Sequence, residues 1–116
     1  MLDTSPLTAV VERFADRLRA APQSRLQQGA AAAALELARE LSVRAQGLEG
    51  APVREMPDAG IFVVGDQVAV AGLDLAEALR GVRAGAASSG EVATAPSEML
   101  DEAVALVERA EVRAMR

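Results

Sequence analysis

Gly60-Ile61-Phe62-Val63-Val64-Gly65-Asp66-Gln67-Val68-Ala69-Val70-Ala71-Gly72 is the one stretch of this chain with a β-like pattern. Two short β-branched runs, 61–64 and 68–71, flank Gly65-Asp66, a dipeptide suited to the positive φ of a tight turn. The pattern predicts a β-hairpin over about 60–72. With a two-residue loop, strict alternation sets Ile61, Val63, Val68 and Val70 on one face and Phe62, Val64, Ala69 and Ala71 on the other, whereas a three-residue loop would group Phe62 and Val64 with Val68 and Val70. Both faces are apolar, and a lone hairpin is marginal in water, so both must be covered. One face can lie under the chain's own helices. The other makes Phe62, Val64, Ala69 and Ala71 the candidate interface, for a second copy or another protein.

On the N-terminal side, Gly50, Pro52 and Pro57 mark a loop over 48–59. Arg54, Glu55, Met56 and Asp58 combine both charges with a flexible apolar side chain, and form the candidate partner loop. Before it, residues 1–47 predict an antiparallel helical pair. Ser5 is placed to cap the first helix, with Pro6 in its first turn, and Leu7, Val10, Val11, Phe14 and Leu18 form one stripe to about Ala20. After the corner at Pro22, a helix from about Gln23 or Arg25 to Gln46 carries the stripe Leu26, Ala30, Ala33, Leu37 and Leu41. Its small side chains permit close approach, so it is the expected spine for the first helix, with Gly47 as its stop.

On the C-terminal side, Asp74 and Glu77 resemble a capping box opening a short helix to about Arg80 or Val82. Residues 84–96, rich in Ala, Gly and Ser, predict a flexible linker. A last helix over 97–116 has Leu100, Ala103, Val104, Val107, Ala110 and Ala114 on its apolar face. The expectation is therefore a single helix-dominated α+β domain.

Composition narrows function mainly by exclusion. The 116 residues hold no Cys, His or Lys. That removes thiol and histidine nucleophile systems, the usual zinc, haem, copper and iron–sulfur ligand sets, and lysine Schiff-base chemistry, and no cofactor is expected. Carboxylates remain for acid–base work, namely Glu55, Asp58, Asp66 and Asp74, each with a simpler reading as a turn, cap or loop charge. Residues 1–54 carry seven Arg against six acids and 55–116 five against eleven, giving the net charge of −5. With two Phe and no Tyr or Trp, this balance argues against nucleic acid.

No apolar run approaches the length of a membrane span and no leader pattern opens the chain, so a soluble cytoplasmic protein is expected. The favoured role is a non-catalytic interaction or regulatory protein, acting as a homodimer or on a protein partner. The alternative is a small-molecule or enzymatic domain in which Arg39 or Arg44 holds an anionic ligand between the Ala-rich helix and the hairpin.

Overall fold

The computed structural model describes residues 2–82 and 95–116. In chain order it has α1 (Ser5–Ala20), the single turn α2 (Gln23–Arg25), a π turn (Leu26–Ala30), α3 (Ala31–Glu49), α4 (Val64–Gly81) and α5 (Pro96–Ala114). Among the described residues there is no strand. The expected α+β fold with a hairpin is thereby corrected to an all-helical one, and the expected linker at 84–96 falls almost wholly outside the described residues.

The predicted hairpin is the first half of α4. Its alternation competes with a helical period in the same residues: Val64, Val68, Ala71, Leu75 and Leu79 recur at three- and four-residue steps, and all are at most 2% exposed. Burying that stripe outweighs the β preference of isolated valines, which is mostly a statement about packing. Asp74 therefore lies in mid-helix and does not cap one.

Gly65 and Gly72, seven residues apart, face α1 instead of turning the chain. A Cβ built on Gly72 would lie 2.5 and 2.6 Å from the two Val11 methyls, and one on Gly65 would lie 3.1 Å from the Ala15 carbonyl oxygen. The two helices run antiparallel. The Thr4 hydroxyl accepts from Arg80 Nη1 at 3.1 Å, Val11 sits over Gly72, and Arg19 reaches Asp66 at 2.7 Å.

α1 occupies the span its stripe predicts, with Thr4 and not Ser5 at the cap position. The second predicted helix is broken. Gly29 adopts φ 130° inside the π turn, a conformation that residues with a Cβ rarely take, and α3 proper starts beyond it. α3 also continues through Gly47, because Leu48 extends the stripe Leu41–Ala45. The stop comes at Gly50 (φ 70°), where Ala51 N–H donates to the Gln46 carbonyl at 2.9 Å.

α1 and α3 take opposite corners of a four-helix bundle, each packed on α4 and α5 and hardly on each other. The alanines of α3 thus receive α4, and the expected pairing of α1 with α3 does not form. Segment 50–63 returns along α3, so α4 runs parallel to it. α5 runs alongside α1 and opposite to α3, with Arg25 donating to the Arg116 carbonyl at 2.8 Å and Arg113 lying 3.6 Å from Glu36. The order is up, down, down, up around a core that includes Phe14, Leu18, Leu41, Leu75, Leu79 and Val107. Each large side chain buried there contributes about 1.5–3 kcal/mol.

Candidate functional site

Among the described residues, the outer side of α4 and the turn before it carry four of the seven exposed large hydrophobic side chains. Phe62, in the turn before the helix, is 72% exposed, whereas the chain's other phenylalanine, Phe14, is completely buried. Val63, Val70 and Leu73 follow it at 40%, 56% and 48% exposure. From Val63 at the N-cap to Leu73 the stripe extends roughly 15 Å along one face of α4, with Phe62 in the turn just before it. Asp66, held by Arg19, Glu77, held by Arg80, and the exposed Asp74 beside Leu73 interrupt the stripe. Single exposed apolar residues are ordinary on a surface, but four in one stripe are the kind of patch that marks a contact.

Of the four interface candidates, only Phe62 belongs to this face. Val64 and Ala71 are 2% and 1% exposed in the core, and Ala69 sits half-buried at the edge. The grouping by alternation fails because the backbone is helical, and Val63, Val70 and Leu73 take the vacated places. Their signal is the step of seven from Val63 to Val70 and of three from Val70 to Leu73, visible only on a helical reading of 63–80.

The candidate partner loop is a strap bound to α3 and to the first turn of α4 through its backbone. Arg54 N–H donates to Gln46 Oε1 at 2.7 Å, Arg39 Nε donates to the Met56 carbonyl at 2.8 Å, and Gln67 Nε2 donates to the Pro57 carbonyl at 2.9 Å. Asp58 accepts from Gly60 N–H at 2.9 Å, and Glu55 lies 3.3 Å from Arg39. Arg54, Glu55 and Asp58 remain exposed, while Met56 is half-buried against the core. Replacing Arg39 with alanine is expected to cost about 1 kcal/mol in a urea titration. Amide exchange should accelerate over 54–58 and not in α3.

Between this strap and α3 lies an open groove of about 580 Å³. Its floor is Leu35, Val43 and Val53, and its rim carries Glu36, Glu40, Glu55 and Asp58 against Arg39 alone. Arg39 is engaged by Glu55 and Met56, and Arg44 pairs with Glu40 at 2.9 Å. The groove's field therefore favours a cation, not the anion considered from the sequence.

The remaining carboxylates do not converge into an acid–base pair. Asp66 binds Arg19, Asp58 caps its own turn, and Asp74 lies two turns beyond Asp66, about 12 Å along α4. Glu98, Asp101 and Glu102 stay exposed on the first turns of α5.

Sequence reasoning missed one polar group altogether. Glu111 lies on α5 with its side chain 7% exposed, facing α1. Arg13 donates to it from Nε at 3.1 and 3.2 Å and from Nη2 at 2.6 Å, and Arg17 Nη1 donates at 3.1 Å. The Arg13 hydrogen bonds hold its carboxyl below the usual glutamate range against the opposing effect of burial, and Arg17 adds to them. Its neighbour Ala110 had marked that side of α5 as apolar. The arrangement is an interhelical clasp between α1 and α5.

No protein family, curated protein or solved structure matches this chain. Function therefore rests on its own geometry. Among the described residues no helix is long and apolar enough to cross a membrane.

Proposed function

We propose that this chain is a non-catalytic interaction protein whose contact surface is the outer face of α4, from Phe62 to Leu73. The observation that carries this reading is Phe62, a large aromatic 72% exposed in line with three further exposed apolar side chains. Aromatic side chains in such positions supply most of the energy of protein interfaces. The scattered carboxylates and the paired arginines support a binding role over a chemical one.

The reading is tested by placing a photoreactive benzophenone side chain at position 62 in cells of the source organism. A covalent adduct to protein is expected on irradiation, and the same group at Val112, exposed alone on α5, should give none. Absence of an adduct at 62, or equal yield at 112, contradicts the proposal.

A further inference from the structure

We infer that the occupant of the α4 face is a second copy of this chain, docked antiparallel along α4; this rests on the interaction reading above. Six residues on the outer side, Val63, Asp66, Val70, Leu73, Glu77 and Arg80, follow one another at steps of three, four, three, four and three. That is the spacing of a coiled-coil a/d seam, here with an apolar centre of Val70 and Leu73, Val63 toward one end, and charged Asp66, Glu77 and Arg80. In an antiparallel pair the a positions of one helix lie opposite the d positions of the other, and this seam is its own complement under that operation.

Val70 meets Leu73 of the second copy twice, at the centre. Asp66 faces Glu77 of the second copy, and each arrives with an arginine already bound, Arg19 at 2.7 Å from Asp66 and Arg80 on Glu77. Each end therefore gathers two carboxylates and two guanidinium groups, which can exchange partners across the contact. Val63 faces the stem of Arg80.

The same register sets Phe62 over Gly81 of the second copy. Among the described residues nothing lies within 4 Å of where a Gly81 side chain would begin. A parallel pair would instead stack Asp66, Glu77 and Arg80 each upon itself, placing like charges in three layers. The two-fold arrangement also closes on itself and leaves no repeating surface. One helix face is smaller than the ~800 Å² per partner of a standard interface, so roughly micromolar self-association is expected.

The test is sedimentation equilibrium of the purified chain across the micromolar range, followed by cysteine cross-linking, which is clean because the chain has no cysteine of its own. The expected result is a mass rising to twice 12.0 kDa, with at least a tenfold loss of association in Leu73→Asp and an unchanged urea midpoint. Val70→Ser repeats the test should Leu73→Asp lose helix content. Under oxidation, Asp66→Cys and Glu77→Cys chains should cross-link when mixed and not when alone.

A monomer at every concentration, a dimer indifferent to Leu73→Asp and Val70→Ser, or self-linking of Asp66→Cys overturns the inference. A purified monomer whose benzophenone adduct in cells is to a different protein overturns the second copy and keeps the interaction reading. No adduct at all removes the reading beneath it.

Discussion

Alanine at position 72 will destabilise the protein by about 2 kcal/mol, although alanine is the better helix former by nearly 1 kcal/mol. The added methyl would sit 2.5 and 2.6 Å from the Val11 Cγ atoms and 3.0 Å from its Cβ, so Val11 or the helices themselves would have to shift. Val11 is fully buried, so it cannot turn toward solvent. Urea titrations will show the loss, and a Val11→Ala change in the same chain will recover part of it. The two substitutions should therefore be coupled and not additive. The control is Gly47→Ala, within α3 and with nothing within 4 Å of the new methyl, which should stabilise by about 0.5–1 kcal/mol. Equal responses at 47 and 72 would mean that α4 does not approach α1 through its glycines.

The second large effect belongs to Glu111. Changing Arg13 and Arg17 together to alanine strands a carboxylate whose side chain is 7% exposed, and about 2–3 kcal/mol of stability at neutral pH is expected to go with them. Either change alone should cost much less, because the other half-exposed guanidinium still reaches the carboxylate.

The pH dependence should change sign between the two proteins. In the native chain Glu111 is held below the ordinary glutamate range, chiefly by hydrogen bonds from Arg13. Its contribution is then present above the unfolded value, about 4.3, and fades as pH falls through the folded value. In the double variant burial acts alone and raises the group above its unfolded value. Its contribution is then greatest in acid and is lost as pH rises through the folded value. Urea midpoints across the acid range compare the slopes directly, and adding Glu111→Leu to the double variant should restore most of the loss.

These two sites also show where sequence reading stops. The stripes of α1 and α5 are legible because Leu7, Val10, Val11, Phe14 and Leu18, or Leu100, Ala103, Val107 and Ala110, repeat at helical steps with polar residues between. Segment 60–72 carries two periods at once. Its glycines fit a turn as well as a close helix contact, and the deciding partner, Val11, lies about sixty residues earlier, beyond the reach of local pattern. Gly47 and Gly50 illustrate the same ambiguity on a smaller scale, since either can end a helix and only the burial of Leu48 selects the second. Glu111 was invisible for another reason: a carboxylate on an apolar stripe is anomalous until the arginines of a different helix are placed above it.

The candidate site was legible in part. Phe62 stands out in a chain with so little aromatic content, but its companions depend on whether the backbone is strand or helix. Alternation selects Val64, Ala69 and Ala71, whereas the helix buries two of these and brings out Val63, Val70 and Leu73. One conformational assignment thus decides both the fold and the face.

Backbone chemical shifts and nuclear Overhauser contacts of the isotopically labelled protein test that assignment most directly. Helical Cα shifts running unbroken from Val64 through Gly81, with a contact between the Gly72 Hα protons and the Val11 methyls, are the predicted result. Extended shifts over 61–64 and 68–71, with cross-strand Hα–Hα contacts between them, would contradict it and remove the α4 face with it.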